Sequence, residues 1–174
     1  MKQKTRALIL KKFRIILEEQ MYDNYTYLLL LMQNKNMAYT SEVTYLGELR
    51  TEAVHLQSGN KITTDAPKDN HGKGEAFSPT DLVATALACC MISVMGILAL
   101  KEGITKSDGA VAKVTKVMYA EPRRIGEIHI SITMPANNFT EKEKKMYEHA
   151  AYTCPVAKSL HPDLKQVIEF VYPA

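Results

Sequence analysis

The feature that most constrains the fold of this chain is a run of 19 uncharged residues between Asp81 and Lys101. Pro79 precedes the run and favours a first helical turn, and Gly103 follows it as a residue suited to a left-handed helix cap. The run approaches the roughly 20 apolar residues that a membrane-spanning helix needs. However, it includes polar residues such as Thr85, and the Trp and Tyr residues typical of membrane interfaces are missing from its ends. These features favour a helix buried in a soluble protein or in a subunit interface.

The charge of the chain is unevenly distributed. Residues 1–36 contain seven basic and three acidic residues, a net charge of +4, which leaves −1 for the remainder. A nearly neutral body argues against nucleic-acid binding as the main activity. We predict an N-terminal extension over residues 1–36 and a single domain over residues 37–174.

Two interpretations of the extension remain open. Residues 7–20 can form an amphipathic helix, so the extension could anchor the protein to a membrane surface. Alternatively, it is a disordered or helical leader outside the packed domain, with the native start at Met37. Basic residues from Lys11 to Arg14 interrupt the apolar stretch that a secretory signal would need. We therefore expect a cytoplasmic protein without stable membrane insertion.

The hydrophobic periodicity predicts an α+β fold with antiparallel sheets around the long central buried helix. Thr140 begins a capping box with Glu143, so a helix should follow it. One thin sheet cannot cover the central helix alone, and we expect a second copy of the chain to cover the rest in a homodimer. The predicted strands are 39–45, 49–56, 61–65, 109–121, 127–134 and 167–172, and the later helices are 140–152 and 155–160.

The three cysteines are the main candidates for chemistry, and they are too few for a disulfide framework. Cys154 precedes Pro155 at a predicted helix start, a location that lowers a thiol pKa. Cys90 lies in the middle of the long helix and would need a cation supplied by another element. A spacing of 64 residues between these two cysteines is weak evidence for redox chemistry, and Cys90 could equally be an inert core residue.

The sequence predicts no metal site and no cofactor. Adjacent residues on a helix point about 100° apart, so Cys89 and Cys90 suit a single ion poorly. The five histidines are scattered, and neither a C-x2-C nor an H-x3-H spacing occurs.

Several segments, in the same order along the chain, resemble the OsmC/Ohr family. The long helix resembles the family helix that carries the first reactive cysteine, and reads S-P-T-D-L-V-A-T-A-L-A-C-C-M. The second-cysteine segment of the family resembles T-C-P-V-A-K-S-L. The strands T-Y-L-G-E-L-R-T-E-A-V-H and the loop D-A-P-K-D-N-H-G-K-G-E-A-F are similar to its OsmC-like redox-protein branch. The resemblance covers residues 37–172.

This resemblance implies roles for three residues. Cys90 matches the peroxidatic cysteine, Cys154 matches the resolving cysteine, and Arg50 matches the arginine that stabilises the thiolate. The implied activity is a thiol-dependent peroxidase that reduces organic hydroperoxides through a sulfenic acid and a disulfide, in oxidative-stress defence. A dithiol or a thiol protein would be the reductant. The implied fold is an intertwined homodimer whose active sites use residues from both subunits.

The sequence also departs from the family pattern. Peroxidase members have a glutamate directly after the proline that starts the helix, and Thr80 occupies this position here. Asp81 lies one residue further on and faces another direction, whereas Glu75 in the preceding loop could replace the glutamate. Cys89 stands where the family has a small residue. The alternative interpretation is therefore a non-catalytic dimer of this fold that binds small apolar ligands.

Overall fold

The computed structural model describes residues 39–104 and 106–173, and the predicted extension over residues 1–36 lies outside them. Within the described residues, six strands and three helices follow one another in the predicted order, which confirms the α+β fold class. The strands are β1 (Ser41–Gly47), β2 (Arg50–His55), β3 (Lys61–Asp65), β4 (Val111–Ala120), β5 (Arg123–Thr133) and β6 (Lys165–Val171). The helices are α1 (Pro79–Glu102), α2 (Glu141–Tyr152) and α3 (Pro155–Ser159).

The strands form two three-stranded sheets, with the orders β1-β2-β3 and β4-β5-β6. In the second sheet β4 and β5 are antiparallel, as predicted, but β6 runs parallel to β5. Parallel neighbours need a crossover connection, and α2 and α3 supply it between β5 and β6. The sequence predicts a turn over residues 122–126, whereas β5 begins at Arg123, which pairs with Ala120.

The described chain divides into two compact units. One contains residues 39–42 and 54–60, where the Leu56 N–H donates to the Thr40 carbonyl oxygen at 3.1 Å. The other contains residues 43–53 and 61–173, and it includes all of the candidate site residues. In this larger unit, β5 turns Ile128, Ile130 and Ile132 into the core, each at most 1% exposed. The alternation along the strand predicts this buried face.

Helix α1 begins and ends where the sequence predicts. Ser78 and Asp81 form a reciprocal capping box at its start, and Gly103 adopts a left-handed φ of 66° after its end. By length and composition α1 could also cross a membrane, a test that the core helices of soluble proteins pass as well.

Within the described single chain, α1 is buried on one face only, as expected if one thin sheet cannot cover it alone. One face is fully buried through Leu87, Met91 and Met95. Ile97 and Leu100, on other faces, are 53% and 79% exposed. A three-stranded sheet and two shorter helices cover only one side of a helix of this length, which leaves an apolar surface uncovered.

Candidate functional site

The fold brings Cys90 and Cys154 together although they are 64 residues apart. Cys90 lies half-buried on α1, and Cys154 caps the start of α3, where it is completely buried. Cys90 packs against the buried cluster that contains Cys154 and is near enough to raise the pKa of the Cys154 thiol. Two adjacent thiols of this kind can be oxidised to a disulfide.

The environment of Cys154 combines two opposing effects. Burial raises the pKa of the Cys154 thiol, while the Ala157 N–H, which donates to its Sγ at 3.3 Å, lowers it. The neighbouring Cys90 raises the pKa of Cys154 further, and the net shift is upward. The helix-start geometry predicted from the sequence is therefore present, but the predicted fall in pKa is not, because burial outweighs the backbone hydrogen bond.

Cys89 differs from its neighbour Cys90. Successive residues on a helix point about 100° apart, so when Cys90 points towards the core its neighbour Cys89 points away from it. The side chain of Cys89 is exposed. It is therefore available to solution reagents in the single chain, whereas Cys90 faces the core and Cys154.

A second cluster surrounds Arg50, the first residue of β2. Its Nη2 donates to Asp65 Oδ2 at 3.2 Å and to Glu75 Oε2 at 2.6 Å. These two carboxylates, Glu75 first and Asp65 second, raise the pKa of the guanidinium. Glu75, offered from the sequence as a substitute for the missing family glutamate, thus lies directly on the arginine.

Asp65 is the member of this cluster that sequence reasoning missed. It ends β3, and its side chain is fully buried beneath Arg50. The Glu75 N–H donates to its Oδ2 at 3.0 Å. Acidic residues that end strands usually belong to turns, so the sequence alone gives no sign of a buried carboxylate.

Thr80 and Asp81 serve the start of α1 and do not contact Arg50. Thr80 Oγ1 lies 3.0 Å from Ser78 Oγ. Asp81 accepts from the Ser78 N–H at 2.8 Å and forms an ion pair with Lys116. Burial acts to raise the pKa of Asp81, but Lys116 and Ser78 together lower it.

The Arg50 cluster and the cysteine pair share no hydrogen bond within the part of the chain that the structure describes. The same part of the chain contains no group of three or more His, Cys, Asp or Glu side chains that could hold a metal ion. One cluster can therefore form a disulfide, and the other holds a guanidinium against two carboxylates.

Comparisons with known proteins bear on the family and the fold of this chain. The family model described as OsmC-like protein matches residues 72–169. A crystal structure from Psychrobacter arcticus 273-4, of a protein provisionally named as an osmotic stress induced and detoxification response protein, is 55% identical. It aligns with a TM-score of 0.73 over 76% of this chain and 96% of that chain.

Two more distant structures share the fold. One is from Legionella pneumophila and is named an organic hydroperoxide resistance protein OsmC, with a TM-score of 0.60 and 17% identity over 78% of this chain and 99% of that chain. The other is an OsmC-like protein from Mycoplasma pneumoniae, with a TM-score of 0.66 and 19% identity over 80% and 99% of the two chains. The comparison with curated proteins found no match.

Proposed function

This chain belongs to the OsmC-like protein family, and we propose that it is a thiol-dependent peroxidase that reduces organic hydroperoxides. The proximity of Cys90 and Cys154 is the observation that carries this proposal. The name of the Legionella pneumophila structure, an organic hydroperoxide resistance protein, supports the same class of substrate. We place the enzyme in the cytoplasm, where a reducing environment keeps its thiols available.

The proposed cycle has three steps. The Cys90 thiolate attacks the distal oxygen of the hydroperoxide; the O–O bond breaks, and the alkoxide takes a proton and leaves as an alcohol. Cys90 is thereby oxidised to a sulfenic acid. The Cys154 sulfur then attacks the Cys90 sulfur, which forms a disulfide and releases water. A dithiol or a thiol protein finally reduces the disulfide by exchange, and is itself oxidised.

The elevated pKa of Cys154 suits the second step of this cycle. A protonated, buried thiol does not compete with Cys90 for the peroxide. It remains next to the sulfenic acid and reacts when that acid forms. The burial of Cys154 supports the proposed order of the two cysteines in the cycle.

We further propose that the enzyme is a homodimer and that Arg50 acts on Cys90 across the subunit interface. Two observations support a partner: among the described residues no hydrogen bond joins Arg50 to Cys90, and α1 leaves Ile97 and Leu100 exposed. A second copy that covers α1 would bury this apolar surface. A guanidinium near the thiolate would lower the pKa of Cys90.

A mixed dimer tests the proposed function directly. Arg50→Ala and Cys90→Ser chains are co-expressed with different tags, and the heterodimer is purified through both tags. If Arg50 acts across the interface, the Cys90→Ser homodimer is inactive and the Arg50→Ala homodimer is slow at neutral pH. The heterodimer then has one complete site and about half of the wild-type activity at that pH. An inactive heterodimer would rule out action across the interface, and a wild-type protein without hydroperoxide turnover would rule out the peroxidase.

A pocket favours a second candidate function, a non-catalytic dimer that binds small apolar ligands. The pocket has a volume of about 600 Å³ and an apolar lining from Val83, Ile125, Leu160 and Leu164, with Arg124, His161 and Asp163 also in its wall. A volume of this size can hold a small molecule. Under this function, Cys90→Ser would bind an apolar fluorescent probe as well as wild type does, and the wild type would not turn over hydroperoxides.

A further inference from the structure

The two carboxylate partners of Arg50 differ sharply in burial. The side chain of Asp65 is fully buried, whereas that of Glu75 is 63% exposed. Both accept from the same guanidinium nitrogen, Nη2. An exposed ion pair contributes little to stability, because solvent screens it and its side chains lose rotamer freedom. Glu75 can therefore leave Arg50 easily, and Asp65 cannot.

The backbone around Asp65 is fixed on both sides. Its N–H donates to the Phe77 carbonyl oxygen at 3.1 Å, and the N–H of the next residue, Ala66, donates to the Leu49 carbonyl oxygen at 3.2 Å. Leu49 directly precedes Arg50 in the chain. The Asp65 carboxylate is thus tied to the loop that carries Glu75 and to the backbone that carries Arg50.

The loop lies close against this strand end. A Cβ atom added to Gly72 would approach the Ala66 carbonyl oxygen within 1.7 Å, so this contact requires glycine. The Glu75 N–H first, and then Arg50, hold the pKa of Asp65 below its ordinary value. The buried carboxylate is therefore ionised at neutral pH.

Stability alone does not explain a charged residue at this position. The second carboxylate oxygen, Asp65 Oδ1, is buried without a partner at hydrogen-bond distance among the described residues, although the nearby Lys73 N–H also helps to lower the pKa of Asp65. Burying an unsatisfied acceptor is unfavourable, and a neutral residue would avoid this penalty. A carboxylate retained under these conditions indicates a use for its charge, and Arg50 is the cation beside it.

We propose that Asp65 is the residue that positions Arg50, and that Glu75 is a second partner that can detach. The inference rests on the proposed peroxidase function. With both carboxylates in place, the cluster has a net charge of −1, which opposes a thiolate nearby. When Glu75 moves into solvent, Asp65 still holds the guanidinium, whose freed N–H groups can then face the thiolate of Cys90.

Two matched substitutions separate positioning from simple electrostatics. Asp65→Asn and Glu75→Gln each remove one negative charge beside Arg50, so electrostatics alone would lower the pKa of Cys90 in both variants. Positioning predicts opposite signs. Glu75→Gln leaves Arg50 anchored and lowers the pKa of Cys90. Asp65→Asn releases Arg50, raises the pKa of Cys90 and lowers kcat/KM by about 10- to 100-fold.

Asp69→Asn provides the control for charge. The Asp69 carboxylate is 72% exposed and pairs with Arg123 at 3.6 Å. The substitution therefore removes one negative charge, as the other two do, but away from Arg50. This variant should keep the wild-type pKa of Cys90 and the wild-type kcat/KM. The pKa of Cys90 is measured in each variant from the pH dependence of its alkylation, followed by mass spectrometry of the Cys90 peptide.

A measurement without turnover keeps this inference distinct from the proposed function. The Arg50 side-chain Nε–H signal, assigned with Arg50→Lys, is followed by NMR in the full-length protein. The signal should be ordered in wild type and in Glu75→Gln, and lost in Asp65→Asn. If Asp65→Asn does not fold, Asp65→Glu keeps the charge, and its extra methylene should shift the same signal.

The outcomes are clear-cut. An Arg50 signal that stays unchanged in the folded Asp65 variant would overturn the positioning role, and so would a fall in the pKa of Cys90 in Asp65→Asn. If that signal depends on Asp65 but the wild type turns over no hydroperoxide, Asp65 still positions Arg50 and it is the peroxidase function that fails.

Discussion

Replacement of Cys154 by serine tests the proposed cycle most sharply, because the cycle predicts how many thiols per chain are oxidised and not only a loss of activity. The Sγ of Cys154 caps α3 by accepting from the Ala157 N–H at 3.3 Å. Serine is among the best residues at this helix position and its oxygen can accept the same hydrogen bond. We therefore expect Cys154→Ser to fold, with a loss of about 1 kcal/mol from burial of a more polar side chain.

The expected number of thiols lost on oxidation follows from the three cysteines of the chain. One equivalent of an organic hydroperoxide, without reductant, should convert Cys90 and Cys154 of the wild type to a disulfide, so that three free thiols fall to one. In Cys154→Ser, two thiols should fall to one, because Cys90 stops at the sulfenic acid. The remaining thiol in both proteins is the exposed Cys89.

The assay counts thiols with a chromogenic disulfide and detects the sulfenic acid as a dimedone adduct by mass spectrometry. Cys154→Ser should give one adduct per chain, on Cys90, whereas the wild type should give almost none. Cys89→Ser is the matched control, and should lose both of its thiols without a dimedone adduct. If Cys154→Ser lost both thiols and gave no adduct, Cys89 would be the resolving residue and the assignment of Cys154 would be refuted.

The structure also predicts which thiol reacts first. The pKa of Cys154 is raised from an ordinary value of 9.0. Its thiol is therefore mostly protonated at pH 7, and its burial restricts access by reagents further. Alkylation of the reduced wild type at pH 7 should label Cys90 before Cys154, and the reverse order would contradict the proposed division of roles.

Three further predictions concern other parts of the molecule. Arg50→Ala should raise the pKa of Cys90 and move the rate–pH profile to higher pH; an unchanged profile would exclude this arginine. Ser78→Ala removes the buried cap of α1 and should lower the free energy of unfolding by about 1 kcal/mol, measured by denaturant titration. Glu143 pairs with Lys106, and this contact is the main reason that the pKa of Glu143 is lowered to about 2. The ionised side chain therefore stabilises the folded protein above the unfolded pKa of 4.5, and this stabilisation is lost as the pH falls towards 2. Glu143→Gln should therefore be less stable than wild type at pH 6, and this difference should vanish near pH 2.

The sequence by itself determined much of the fold. Local signals are sufficient for this because each of them acts within a few residues: the capping box at Ser78, the left-handed cap at Gly103, and the alternation from Ile128 to Ile132. The same signals could not determine the direction of β6, since a strand pattern has the same period whether its neighbour runs parallel or antiparallel.

The candidate site shows a similar division. The family resemblance pointed to Cys90, Cys154 and Arg50 as candidate site residues. Residue type and spacing could not predict whether burial or the backbone hydrogen bond would dominate the pKa of Cys154. Only the tertiary structure buries Cys154 next to Cys90, and this burial reverses the pKa shift expected from its helix start. Likewise, only the tertiary structure distinguishes the fixed carboxylate of Asp65 from the exposed one of Glu75, because burial depends on contacts between residues far apart in the chain.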